Sequence, residues 1–158
     1  MSTKIISGSN LGLATQISDT LQIPLTSRKI THFRNGEICV SIQESVRNHD
    51  VFIVQTKGPS QSTNDMLMEL LILIDACRRS AAKSIYVVLP CYPYSRQDKK
   101  EESREPITAK LVAKQAKLPY SKSKLKTESA HIIFFYEWVP QDIVRIVKIS
   151  IKKKCCTV

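Results

Sequence analysis

Short apolar runs of strand length recur through the first two thirds of the chain. Residues 50–55 and 84–89 are apolar at nearly every position, which is typical of strands buried on both faces of a parallel sheet. Residues 4–8 form a shorter run that ends at a glycine, and residues 37–43 alternate polar and apolar side chains. The alternation predicts a strand with one buried face.

Helical spacing of apolar side chains appears between these runs, at residues 10–21, 66–79 and 107–117. The second of these segments has a wide Met and Leu stripe, which predicts a helix packed against a sheet rather than a cofactor site. Asn10 is expected to cap the first helix. Pro106 is expected to open the third, because proline is favoured at the first helical position.

An Asn-Gly pair, Asn35-Gly36, lies between a strand candidate at residues 28–33 and the alternating run at residues 37–43. This pair is the strongest short signal for a β-hairpin, so we expect a hairpin or flap here. The remaining strands alternate with helices along the chain. That order predicts an α/β fold with right-handed crossovers and a mostly parallel sheet.

A charge-dense loop, residues 96–105, follows the strand at residues 84–89 and precedes the third helix. It therefore leaves the carboxyl end of a strand, where open α/β sheets bind ligands. Composition alone favours a simpler interpretation, in which the charges only keep an exposed loop solvated.

Length and composition narrow the class of protein. The chain has 158 residues, enough for one domain with a real core. It shows no secretory signal at its start and no apolar run of about 20 residues, so we expect a soluble cytoplasmic protein. The five cysteines are odd in number and have no C-x-x-C spacing, which favours reduced thiols over zinc or disulfides. Cys39 and Cys77 lie in apolar surroundings and are expected in the core.

The positive charge is concentrated in the last third of the chain. Residues 114–158 hold ten Lys and Arg residues against three Asp and Glu residues, so they carry +7 of the net charge of +10. This segment lacks interleaved aromatic residues and any recognisable nucleic-acid motif. We therefore expect no nucleic-acid partner.

Residues 90–100 read PCYPYSRQDKK and residues 103–113 read SREPITAKLVA. Together they closely resemble the signature of ribose-phosphate pyrophosphokinases, also called phosphoribosyl pyrophosphate synthetases. Further segments that resemble the family are residues 4–18, 33–37, 44–56 and 64–85. The resemblance implies a phosphoribosyltransferase-like (Rossmann-like) α/β fold, with a mostly parallel sheet flanked by helices and a β-hairpin flap.

The family transfers the β,γ-diphosphoryl group of ATP to the 1-hydroxyl of ribose 5-phosphate, giving phosphoribosyl pyrophosphate and AMP. Such transfers depend on positioning and on neutralisation of charge by Mg²⁺ and cationic side chains. The resemblance implies a set of ATP-binding residues, in the charged loop and in the flap: Arg96, Gln97, Asp98, Lys99, Lys100, Phe33, Asn35 and Glu37. In the family the flap reaches the ATP site of a neighbouring subunit, so a homo- or hetero-oligomer with synthetase subunits is implied.

The chemistry of these side chains suits a nucleotide. The planar guanidinium of Arg96 fits phosphate oxygens, and Gln97 can donate to and accept from an adenine or ribose edge. Phe33 can stack on a base, while Asn35 and Glu37 can bond its edge. Taken singly, Phe33 is also compatible with a core residue and Glu37 with an ordinary surface strand.

The family also has a regulatory phosphate site between subunits. Basic and hydroxyl side chains suit a phosphate or ADP there. The residues that match positions lining it are Ser45, Arg47, Ser80, Lys100, Ser103 and Arg104.

The resemblance ends near Ala113. We predict an N-terminal synthetase domain at residues 1–116 and a divergent basic tail with little fixed structure at residues 117–158. His131 does not occupy the position of the family's magnesium-binding histidine, so no metal ligand and no catalytic residue is assigned. The last residues, with Cys155, resemble a prenylation box. Thr157 and Val158 depart from that pattern, so we expect an aberrant tail without membrane contact.

Two functions stay open from the sequence. The first is a truncated synthetase fragment that keeps the ATP side of the site, lacks the family's ribose-phosphate loop and is inactive alone. The second is a non-catalytic subunit that docks on full-length synthetases.

Overall fold

The computed structural model of the protein describes residues 3–117 and the backbone of residues 131–134. Strands and helices alternate after an initial βα unit and a hairpin. In chain order the elements are β1 (Thr3–Ser7), α1 (Gly12–Leu21), β2 (Arg28–His32), β3 (Ile38–Ile42), β4 (Asp50–Val54), α2 (Thr63–Arg79), β5 (Ser84–Leu89), α3 (Thr108–Lys117) and β6 (His131–Phe134).

The main sheet is parallel and has the strand order β1-β4-β5-β6. Ile5 pairs with Phe52, and Phe52 pairs with Tyr86, so the three predicted parallel strands lie side by side in register. β6 extends the sheet beyond β5, a strand that the sequence pattern did not predict. The predicted α/β fold with a parallel sheet is confirmed.

The core lies on both faces of this sheet because successive side chains of a strand point to opposite sides. Ile6 and Ile53 are buried on the face covered by α2. Ile5 and Phe52 are buried on the opposite face, against α1. Each such side chain contributes roughly 1.5–3 kcal/mol of hydrophobic stabilisation, so the sheet holds the carboxyl ends of its strands in fixed positions.

Helix α2 is the element that the candidate site rests on. Ser62 caps it by accepting a hydrogen bond from the Asp65 amide at 3.0 Å, and its apolar stripe is buried as predicted. Burial raises the pKa of the Cys77 thiol to about 12, so Cys77 is a protonated core residue. Cys39, by contrast, is only half buried.

Strands β2 and β3 form a separate antiparallel hairpin, which confirms the predicted hairpin; it is called the flap below. Val40 and Ile42 of β3 pack against the core on the α2 face. The hairpin therefore rests on α2.

Two predicted helix starts are wrong. Helix α1 begins at Gly12 with Leu11 as its N-cap, although the Asn10 side chain does accept a hydrogen bond from the Gly12 amide at 3.2 Å. Helix α3 begins at Thr108 rather than Pro106. The Ala109 amide bonds instead to the charged loop, to the carbonyl of Gln97, which delays the first helical turn.

Most of the predicted basic tail lies outside the described residues, and so does Cys155. Within that tail, residues 131–134 form β6, while the boundary at residues 116 and 117 stays a prediction. No helix in the described part of the chain is both long and apolar enough to cross a bilayer.

Candidate functional site

The charged loop leaves the carboxyl end of β5 and exposes the side chains of residues 96–100. Its backbone is fixed at two points. The Gln97 amide donates to the Tyr94 carbonyl at 3.0 Å, and the Ala109 amide in α3 donates to the Gln97 carbonyl at 3.1 Å. Arg96 and Gln97 therefore project from a defined turn, although their side chains are open to solvent.

The start of the loop is anchored by residues that the sequence analysis did not single out. Pro93 is buried, and the Tyr92 hydroxyl donates to the Ala109 carbonyl at 2.7 Å. The Tyr94 hydroxyl donates to the Asn64 side-chain oxygen at the start of α2. Burial raises the pKa of Tyr92, with a backbone hydrogen bond at Ala113 opposing it. The tyrosines that flank Pro93 were the sequence feature that could have indicated this anchoring.

The second half of the loop is held by a carboxylate. Glu105 accepts hydrogen bonds from the backbone amides of Glu101 and Glu102 at 3.0 and 3.1 Å. Arg104 has a positive φ of 74°, a left-handed conformation that non-glycine residues rarely adopt. The side chains of Lys100 and Ser103 are exposed along this segment.

The flap places its three predicted ATP residues at the hairpin tip. The Phe33 amide donates to the Glu37 carbonyl at 2.8 Å, and the Gly36 amide donates to the Phe33 carbonyl at 2.9 Å. Gly36 has a φ of 88°, which explains why a glycine follows Asn35. Phe33 is 58% exposed. The alternative interpretation of Phe33 as a core residue is therefore wrong.

A groove of about 530 Å³ lies between the flap tip and α2. Phe33, Asn35 and Glu37 line one side of it. Met68 and Asp65 line the other, and Met68 is 51% exposed. The groove thus combines exposed apolar surface with acidic side chains.

The two halves of the predicted ATP site do not meet in this groove. Its described lining includes the flap residues but none of the loop residues 96–100.

The predicted regulatory phosphate residues are divided between the amino and carboxyl ends of the parallel strands. Ser45 and Arg47 precede β4, and this segment lies beside the end of α2, where the Asn48 amide donates to the Ala81 carbonyl at 3.0 Å. Ser80 caps that end of α2. The remaining three, Lys100, Ser103 and Arg104, follow the opposite end of β5.

Strand β5 has six residues, which corresponds to a length of roughly 20 Å at about 3.3 Å per residue. The two groups therefore extend from opposite ends of this strand.

A buried carboxylate, Glu69, organises the neighbouring loops at the carboxyl ends of β1 and β4. It accepts hydrogen bonds from the Ser9 amide at 2.6 Å, the Gln55 amide group at 2.9 Å and the Gln61 amide group at 3.0 Å. The Ser9 hydroxyl donates to it as well. Sequence reasoning missed Glu69, although a glutamate inside the buried stripe of α2 was a visible signal.

Beside this network lies a second cleft of about 510 Å³, lined in part by Ser9, Asn10, Gln61 and His32. The network fixes the walls of the cleft because Ser9 and Gln61 bond to the same carboxylate. No group of three or more metal-ligating side chains occurs in the part of the chain that the structure describes.

Comparison with known proteins gives consistent matches over this region. The family model for the N-terminal domain of ribose phosphate pyrophosphokinase matches residues 3–117. Ribose-phosphate pyrophosphokinase of Campylobacter jejuni is 55% identical over 112 residues, covering 70% of this chain and 35% of that protein. Ribose-phosphate pyrophosphokinase 4 of Saccharomyces cerevisiae is 52% identical over 113 residues, covering 71% and 35%.

Among solved structures, phosphoribosylpyrophosphate synthetase from Mycobacterium smegmatis matches with a TM-score of 0.68 and 43% sequence identity. The match covers 73% of this chain and 38% of that one. The chain therefore spans about a third of the length of the curated relatives it matches.

Proposed function

Because the chain belongs to the ribose-phosphate pyrophosphokinase family, we propose that its charged loop is the ATP-binding side of a diphosphoryl-transfer site. The reaction of such a site moves the β,γ-diphosphoryl group of ATP to ribose 5-phosphate, giving phosphoribosyl pyrophosphate and AMP. The residues proposed to hold ATP are those of the loop, residues 96–100, and of the flap, Phe33, Asn35 and Glu37.

The observation that carries the proposal is the placement of the loop. Arg96, Lys99 and Lys100 are exposed together at the carboxyl end of a parallel strand, where nucleotides bind in open α/β sheets. The backbone bonds of Gln97 hold the turn from which these cations project. A turn whose backbone is already fixed needs less ordering when its side chains meet a phosphate, which favours binding.

The flap is proposed to act on the loop of a second copy. Phe33 is the exposed aromatic residue at its tip, and a ring in this position can stack on a base. Since the flap groove of one chain contains no loop residue, the complete ATP site is proposed to form only in an oligomer.

Magnesium enters this proposal with the nucleotide. The described residues contain no cluster that would hold the ion by itself, and Mg²⁺ commonly binds through substrate phosphates and water. The chain's own part is to bind and orient ATP through its cations and amides.

Titration calorimetry with Mg²⁺-ATP tests the proposal. Arg96→Ala removes a charged hydrogen-bonding group worth roughly 1.5–3 kcal/mol, so we expect the Kd to rise by at least about tenfold. Lys83→Ala is the matched control, since it removes the same charge from the opposite end of β5. An equal loss in both variants would contradict a specific role for Arg96.

The 158-residue chain is proposed to bind ATP without completing the reaction. All of the residues assigned above belong to the nucleotide side, and removing even one charge-stabilising donor costs roughly 10²–10³ in rate. We expect no phosphoribosyl pyrophosphate when the purified chain is incubated with ATP, Mg²⁺ and ribose 5-phosphate. Detectable product would refute this part of the proposal.

The flap groove favours a second candidate function, a non-catalytic subunit that docks on full-length synthetases. Its exposed Phe33 and Met68 form apolar surface next to Glu37 and Asp65, a combination suited to a protein partner. Co-purification with a full-length synthetase, lost in a Met68→Glu variant, would support docking. Retention of the variant would rule out this groove as the contact.

A further inference from the structure

Tyr94 has an unusual backbone conformation for a large residue. Its φ is 61°, in the left-handed region that bulky side chains rarely occupy. Such a conformation persists only where the surroundings hold it, and it is often found where a function requires it. The residue lies two positions before Arg96 in the charged loop.

Contacts on both sides of Tyr94 maintain this conformation. Its hydroxyl donates to the side-chain oxygen of Asn64, in the first turn of α2. Its carbonyl accepts the Gln97 amide at 3.0 Å, and the Gln97 carbonyl accepts the Ala109 amide at 3.1 Å. The preceding residue, Pro93, is buried.

These bonds form one continuous connection from α2 through Tyr94 and Gln97 to α3. Helix α2 is itself rigidly placed, since the Ser62 side chain caps it and Leu70 is buried in the core. The bond from Tyr94 to Asn64 therefore attaches the loop to a rigidly placed helix and not merely to another part of the loop.

We propose that Tyr94 is a positioning residue for nucleotide binding, and that its hydroxyl bond to Asn64 fixes the turn that presents Arg96 and Gln97. Tyr94 acts through the backbone of the loop and not by touching the nucleotide. The inference rests on the proposed nucleotide-binding role of the loop.

Amide hydrogen exchange without nucleotide tests the positioning itself. In Tyr94→Phe the ring stays and the hydroxyl is lost, so we expect the Gln97 and Ala109 amides to exchange about tenfold faster, in keeping with the loss of one hydrogen bond. Amides of β4 and β5 are expected to keep their exchange rates. A uniform acceleration across the sheet, or no change at Gln97, would overturn the proposal.

Two variants of the acceptor and one distant tyrosine sharpen the test. Asn64→Leu is expected to reproduce the effect of Tyr94→Phe, whereas Asn64→Asp keeps an acceptor oxygen and is expected to retain slow exchange. Tyr86→Phe is the matched control, because Tyr86 stacks on Phe52 on the α1 face of the sheet. Fast exchange at Gln97 in the control, or in Asn64→Asp, would argue against the Asn64 bond.

ATP binding to the same variants separates this inference from the proposed function. We expect the Kd for Mg²⁺-ATP to rise about tenfold in Tyr94→Phe and Asn64→Leu and to stay near the parent value in Asn64→Asp. If the parent chain does not bind ATP, the proposed function fails, while the exchange result still decides whether Tyr94 fixes the turn. An unchanged Kd alongside faster exchange would refute the link to binding.

Discussion

At the scale of single residues, Gly8 controls how closely the end of β1 approaches the buried polar network of Glu69. A Cβ at this position would lie 2.0 Å from the Gln55 side-chain oxygen and 2.6 Å from a carboxylate oxygen of Glu69. That Gln55 oxygen is buried and lacks a hydrogen-bond partner among the described residues. The side chain of Gln55 is held by its bond to Glu69, so it cannot move aside without breaking the network.

We therefore expect Gly8→Ala to lower the free energy of unfolding by about 1–3 kcal/mol, as overpacked sites do. Urea denaturation measures the change. Gly58→Ala is the matched control, because its nearest neighbour would be the Gln61 Cβ at 3.7 Å, an ordinary contact. Equal stabilities for the two variants would contradict the close approach at Gly8.

At the scale of elements, the hairpin flap and helix α1 use glycine in opposite ways. Gly36 has a φ of 88° at the flap tip, and a Cβ added there would meet no heavy atom within 4 Å, so its requirement is conformational. Gly12 begins α1 without a positive φ, and its nearest contact would be an Asn10 oxygen at 3.6 Å. The same substitution should therefore affect the two elements differently.

Gly36→Ala is expected to loosen the flap, because the left-handed conformation costs a residue with a Cβ roughly 1–2 kcal/mol. The Phe33 amide, which bonds across the tip to Glu37, should exchange roughly tenfold faster. Gly12→Ala should leave that amide unchanged and should not lower the stability, since alanine favours helices over glycine. Unaltered exchange in Gly36→Ala would show that the tip does not depend on Gly36.

At the scale of the whole molecule, the residues of both proposed sites are divided between separate parts of the described chain. The flap groove lacks the ATP loop, and the phosphate residues lie at opposite ends of β5. Each site would be complete if one copy of the chain contributed one group of residues and a second copy contributed the other. Oligomer formation and ligand binding are then expected to be coupled, since a ligand held by two chains stabilises their association.

Inorganic phosphate should accordingly increase the sedimentation coefficient of the chain. Arg47→Ala and Arg104→Ala should each abolish the increase, because each variant lacks one half of the site in every copy. An equimolar mixture of the two variants should recover part of it, since the intact half of one variant can meet the intact half of the other. Lys29→Ala, on the hairpin, should respond to phosphate like the parent chain.

Failure of the mixture to recover would indicate that the two groups of residues do not share a phosphate. A parent chain whose sedimentation ignores phosphate would contradict the site as a whole. These outcomes do not depend on ATP binding, so the regulatory and nucleotide sites are tested separately.

The sequence by itself determined the family, the parallel sheet, the hairpin and the position of the charged loop. These features follow from local periodicity and from contiguous strings such as residues 90–100, which need no knowledge of distant contacts. The roles of Arg96, Gln97 and the flap residues remain predictions. The helix starts at Asn10 and Pro106 were misplaced. At Pro106 the reason is the bond from the Ala109 amide to the Gln97 carbonyl, a contact that helix propensity does not predict.

Only the tertiary structure decided which residues support the site and which of them can meet. Glu69 and Ser9 are 60 positions apart, and Tyr94 and Asn64 are 30 positions apart, so no local pattern pairs them. The separation of Arg47 from Arg104 likewise follows from the strand direction, because Arg47 precedes β4 and Arg104 follows the parallel strand β5. Chain topology places groups that are chemically alike at opposite ends of the parallel strands, which is why spacing along the sequence could not reveal that division.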